Sequence, residues 1–156
     1  MTNSSSGSGW TGGAPVQPGR DDAAIAAHGS VPERWHLAGR DGLPEAVFDI
    51  LLGDDDERVL SALAWNYSLT RDHLSRLVGV HPGLRDLVAL NRNAAPELKD
   101  GASLGAHTAD SLAQYLDDRE ASPAQRAQLL AQYRSNGNPG DDELSLGRAW
   151  EDCQRP

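Results

Sequence analysis

Apolar residues along this chain recur with the period of a helix and gather on one side of each predicted segment. Val47, Phe48, Leu51 and Leu52 make one broad helical face, with Pro44 suited to its first turn and Gly53 to its end. Val59, Leu60, Leu63 and Ala64 make the next face, behind Asp56 as an N-cap. Thr70 is placed to cap a helix carrying Leu74, Leu77 and Val78, with Leu69 and Leu74 at the staple positions around it and an end near Gly79. His81-Pro82-Gly83 reads as a turn, and Leu84, Leu87 and Val88 as a further short helix. The signal weakens from Asn91 to Gly105 and returns after Thr108 with Leu112, Tyr115 and Leu116. Ser122-Pro123-Ala124-Gln125 has the order of a helix start, leading into Leu129, Leu130 and Tyr133. Residues 135–140 form a loop, and a last helix presents Leu144 and Trp150, with Gly147 as a weak point inside it. Sustained period-2 alternation is missing, so the expected fold is all-α.

These segments repeat. With Leu37-Ala38-Gly39-Arg40 laid over Leu63-Ala64-Trp65-Asn66, Leu43 falls on Leu69, Phe48 on Leu74, Leu51 on Leu77, Leu52 on Val78 and Gly53 on Gly79. A third copy is expected one position further on, with Leu63 over Leu90 and Asn66 over Asn93, followed by Pro96-Glu97-Leu98 at a helix start. Each unit is then a helix, a short turn, a second helix and a polar or Pro/Gly turn. One such pair cannot bury its apolar face alone, so neighbours must stack and share a core.

The segment ALAWNYSLTRDHLSRLVGVHPGLRDLVALNRNAAPEL resembles the variant leucine-rich repeat, a HEAT-like α-solenoid unit. The resemblance covers roughly residues 35–100 and rests on Asn66, Thr70, Leu74, Leu77, Pro82 and Arg85, and again on Asn93, Pro96 and Leu98. It departs from the family pattern in a slightly longer spacing, in Arg40 where the first copy should have Asn, and in the decay of the third copy after Leu98. It implies a short α-solenoid of antiparallel helix pairs, closed by the helices after Thr108 as caps. Some members carry a four-cysteine iron–sulfur module; this chain has one cysteine, so that cofactor is not implied.

Composition divides the chain into three parts. Residues 1–30 are expected to be a flexible arm, because residues 2–20 are dense in Ser, Gly and Pro and bury too little to offset their ordering entropy. A short helix over residues 21–28 is compatible with its sequence. Residues 31–134 are the helical repeat domain, and residues 135–156 a loop with an acidic C-terminal helix or tail. Trp10, between glycines, is either incidental or an anchor for a pocket. The N-terminus lacks a basic and apolar leader, no apolar run is long enough to span a membrane, and a lone Cys153 excludes an internal disulfide framework. The expected setting is the cytoplasm or the interior of an assembled particle. A formal charge of −9, with Lys99 the only lysine and arginines scattered singly, argues against nucleic acid as a partner.

Catalytic and metal chemistry finds no pattern here. His28, His36, His73, His81 and His107 are never paired at ligand spacing. Asp54-Asp55-Asp56-Glu57 fails the calcium-loop order because Arg58 takes a ligand position, and reads instead as carboxylates gathered at a helix N-terminus. Glu151 and Asp152 beside Cys153 disfavour a thiolate. No catalytic, metal or cofactor residue is therefore assigned. The expected function is that of a non-enzymatic adaptor or scaffold that binds a protein partner. Its candidate contact residues are Trp10, Trp65, Asn66, Tyr67, Arg71, Arg92 and Asn93, types enriched at interfaces; otherwise Trp65 and Tyr67 pack inside the stack and Asn66 and Asn93 cap helix ends. The alternative is a structural subunit of a larger assembly such as a virion, whose arm orders on its neighbours.

Overall fold

The computed structural model describes residues 21–135 and 144–156. The expectations for Trp10, for the arm through residue 20 and for most of the loop at 135–140 lie outside the described residues. Among the described residues the regular elements are helices, and the one extended pairing is an isolated bridge between Ser103 and Ser145. In chain order they are α1 (Asp22–His28), α2 (Val31–Ala38), α3 (Glu45–Leu52), α4 (Glu57–Trp65), α5 (Arg71–Val80), α6 (Arg85–Val88), α7 (Pro96–Lys99), α8 (Ala109–Asp118), α9 (Pro123–Ser135) and α10 (Leu146–Gln154). Short 3-10 turns at Pro82–Leu84 and Leu104–Ala106 precede α6 and α8.

The caps read from sequence form. Thr70 Oγ1 accepts the N–H of His73 and Asp56 that of Arg58. At the head of α8, which the apolar pattern marks only as a restart, Thr108 caps the N–H of Ser111. Ser122 and Gln125 make a reciprocal capping box. Ser30 and Glu33 make another at the head of α2. The acidic run before α4 is structural: Asp54 takes the Arg34 guanidinium and the N–H of Asp56. α5 runs past Gly79 to Val80, and His81 starts the next helical turn while its Nε2 donates to the Leu52 carbonyl at 2.6 Å.

α1 belongs to the packed body, although composition assigns residues 1–30 to the arm. It rests on α2 and α3, buries Ala26, and begins at a side-chain cap from Asp21. α2 packs on α4, and α4 on α6. Equivalent positions of this series are buried alike: Leu37, Leu63 and Val88, then Ala38, Ala64 and Ala89. A second core gathers Leu104, Leu112, Tyr115, Leu116, Leu129, Leu146, Ala149 and Trp150 from α8, α9, α10 and the turn before them. α10 is thus part of a core and not a trailing tail. Gly147 explains its own presence there: a Cβ would stand 2.9 Å from Asp100 Cβ.

The third copy is registered differently from expectation. Asn66 Nδ2 donates to the carbonyls of Ala38 and Arg40, at 2.8 and 2.9 Å. The side chain that repeats this reach is Asn91, whose Nδ2 donates to Ala64 and Asn66 at 2.8 and 3.2 Å. Asn93 takes instead the place of Ser68: each offers its own N–H to the Oδ1 of the asparagine two residues before it. Two asparagines two residues apart are ambiguous in sequence, and the backbone carbonyls choose between them. In this register Leu74, the partner of Phe48, falls on Lys99, so a lysine occupies a core position and is fully buried.

Candidate functional site

Helix periodicity puts one aromatic of α2 and one of α4 on the same outer face. α2 turns Leu37 and Ala38 inward, which leaves Trp35 outside; α4 turns Leu63 and Ala64 inward, and Trp65 follows at its last position. In the repeat register Trp65 lies over Gly39 and Trp35 over Ser61, so each indole stands where the neighbouring helix has a small residue. The space left is a groove of about 510 Å³ lined by Trp35, His36, Gly39, Asp41, Ser61, Ala62, Trp65, Asn66 and Tyr67. Its aromatic walls are half exposed: Trp35 by 47%, Trp65 by 43% and Tyr67 by 48%. Side chains of that size are usually well covered, so three of them around one groove form an unusual apolar patch.

Asn66 is the fixed point beneath this face. It is buried, and its Oδ1 accepts from both the N–H and the hydroxyl of Ser68 while Nδ2 holds Ala38 and Arg40. Its polar atoms are spent on the fold, which removes it from the residues free to meet a partner. Asn93 is likewise committed, donating to Tyr67 O at 2.7 Å and Leu69 O at 3.0 Å. That bond holds the backbone on which the Tyr67 ring is carried.

The remaining expected site residues do not join the groove. Arg71 pairs with Asp118 of α8 and lines, with Thr70, Asn93 and Gln114, a separate polar cleft of about 320 Å³. Burial pushes the Asp118 carboxyl up, but the Arg71 guanidinium and Gln114 outweigh it and hold it below its ordinary range. Arg92 is exposed and lines neither site; its carbonyl accepts from Lys99. Conversely, Trp35 and His36 were not among the sequence candidates. The signal was available: laid over its repeat partner, Trp65 falls one helical turn beyond Trp35 on the same face.

The strongest electrostatic perturbations lie elsewhere, where the two cores meet. Burial lowers the Lys99 ammonium to about 8, and it donates to Arg92 O at 2.6 Å and Ser111 O at 3.0 Å. Burial also lowers His107 to about 4; its Nε2 donates to Lys99 O and its Nδ1 accepts from the Ser111 hydroxyl. Tyr115 is pushed up by burial and by Asp100, which its hydroxyl contacts at 2.5 Å. Cys153 is buried, and burial followed by the Asp152 charge pushes its thiol up, as expected from its neighbours. Lys99 and His107 are bonded to carbonyls and linked to each other through Lys99 O and Ser111, and neither lines the clefts described. Among the described residues no group of His, Cys, Asp and Glu is arranged to hold a metal ion, and no helix is long and apolar enough to cross a membrane.

No protein-family model, curated protein or solved structure matches this chain.

Proposed function

We propose that this protein is a non-catalytic interaction module, an adaptor or scaffold that takes a protein partner in the groove between α2 and α4. The observation that carries the reading is the half-exposure of Trp35 on α2, Trp65 at the end of α4 and Tyr67 in the turn after it, around one 510 Å³ cleft. Trp and Tyr supply large contact area at small cost in conformational entropy and dominate interface energetics. The scaffold beneath them is rigid for a physical reason: Asn66 ties α4 to the end of α2, and Asn93 ties the Tyr67 backbone to the next turn. Ser61 and His36 also line the groove, but among the described residues no hydrogen bond joins them, and the His36 ring lies against Trp35 with centroids 4.8 Å apart. The likeness of residues 35–100 to a helical repeat family supports the same reading, since stacked helix pairs present continuous outer faces.

A purified partner tests it. Trp65→Leu with Tyr67→Ala should weaken its affinity by about tenfold or more, at unchanged helix content, as hot-spot truncations do. Val80→Ala, at an apolar residue exposed away from the groove, should leave affinity unchanged. Equal affinity for all three proteins would end the proposal.

A further inference from the structure

We infer that the groove selects a cationic side chain, so that the partner presents an arginine- or lysine-bearing segment to the rings of Trp35, Trp65 and Tyr67. The inference rests on the groove reading above and adds the chemistry of the occupant. An aromatic face carries negative quadrupole density and attracts a guanidinium or ammonium held over it, most strongly for Trp. This protein uses that interaction where its rings are covered: the Arg76 guanidinium lies 5.2 Å from the Phe48 ring centre, and that of Arg119 lies 5.3 Å from Tyr115. Among the described residues no guanidinium or ammonium lies over the three groove aromatics; Trp35 has only the His36 ring beside it.

Charge points the same way. The groove's lining contains no Lys or Arg and does contain Asp41, which is exposed and makes no ion pair among the described residues. The adjacent guanidinium, that of Arg40, is taken by Asp22. The chain carries a net charge of −9, so a basic segment is drawn toward it and an acidic one repelled. An arginine also matches the shape of the site. Its flat guanidinium can stack on an indole while its nitrogens donate to a carboxylate at the rim.

The test uses the full chain and fluorescence anisotropy of three labelled peptides at near-physiological salt. One alternates Arg and Gly; the second replaces Arg with citrulline, which keeps the planar shape and loses the charge; the third replaces it with Glu. The Arg peptide should bind about tenfold more tightly than the citrulline peptide, and the Glu peptide least. Trp65→Leu, which keeps an apolar side chain but removes the ring, and Asp41→Asn should each weaken Arg-peptide binding about fivefold. Asp110→Asn, an equal loss of charge at an exposed residue of α8 outside the groove lining, should change it by less than about twofold, because salt screens exposed charges that make no direct contact. Citrulline and Arg peptides that bind equally, both weakened by Trp65→Leu, would overturn the cation preference and leave the groove as a docking site. Arg binding that is indifferent to Trp65→Leu, or lost equally in Asp110→Asn, would overturn the site itself.

Discussion

The two cores of this protein are held by different means. In the first, from α1 to α7, side-chain amides at repeating positions reach back to the preceding connection: Asn66 to Ala38 and Arg40, then Asn91 to Ala64 and Asn66. The same solution serves the connections after α2 and after α4, where carbonyls at a helix end need a donor from outside the helix. In the second, from α8 to α10, the polar contacts are singular. Asp100 takes the Tyr115 hydroxyl and the Arg119 guanidinium, and Tyr133 donates to the His107 carbonyl. Where the two meet, the repeat position filled by Phe48 and Leu74 holds Lys99, whose ammonium satisfies carbonyls from both sides. At that position a buried ammonium takes the place of an apolar side chain and bonds the connection before α7 to α8.

The contrast can be broken most directly at the asparagines. Asn66→Ala leaves the buried Ala38 carbonyl and the Arg40 carbonyl without their donor, and should cost roughly 3 kcal/mol in urea unfolding. Asn91→Ala should cost a similar amount, whereas Asn93→Ala, whose partners are more exposed, should cost about 1 kcal/mol. A ranking with Asn93 above Asn91 would restore the other register.

The junction should show itself through pH. His107 is held at about 4 in the folded protein against 6.5 ordinarily, so the unfolded chain takes up the proton first as pH falls. Stability contributed by the neutral imidazole is complete above about 6.5 and is lost on the way down to about 4, on the order of 3 kcal/mol. His107→Asn should flatten that part of the pH profile. Lys99 acts on the alkaline side: its folded value of about 8 lies below the ordinary 10.5, so the unfolded chain keeps its proton longer. Stability should therefore rise with pH between those values, and Lys99→Met should remove the rise.

Smaller effects separate the two halves further. Gly147→Ala should cost about 2 kcal/mol, because its Cβ would press on Asp100, whose carboxylate holds Tyr115 and Arg119. Thr70→Ala should cost about 1 kcal/mol by removing the cap of α5, measured as a shift in the urea midpoint.

Helices and caps were legible because their causes are local. Thr70, Asp56 and Ser122 act within three residues of themselves, and the match of Leu37 to Leu63 needs only sequence spacing. The register of the third copy was not legible. Asn91 and Asn93 differ in which distant carbonyl they reach, and no local pattern carries that information. Trp65 and Tyr67 were found by residue type, while Trp35 required seeing that Gly39 and Ser61 open a space between neighbouring helices. Nothing in the sequence around Lys99, the only lysine, marks it as a core residue, and α1 read as part of an arm because Ala26 gains its burial from packing on α2 and α3.

The four tryptophans allow the central claim to be read at once. In protein labelled with 5-fluorotryptophan, each indole gives its own fluorine resonance, assigned by single Trp→Phe replacements. Adding the protein partner should move the Trp35 and Trp65 signals together and leave that of Trp150, buried in the second core, in place. A partner that binds while Trp35 and Trp65 stay unchanged would contradict the assignment of the groove as the interaction surface.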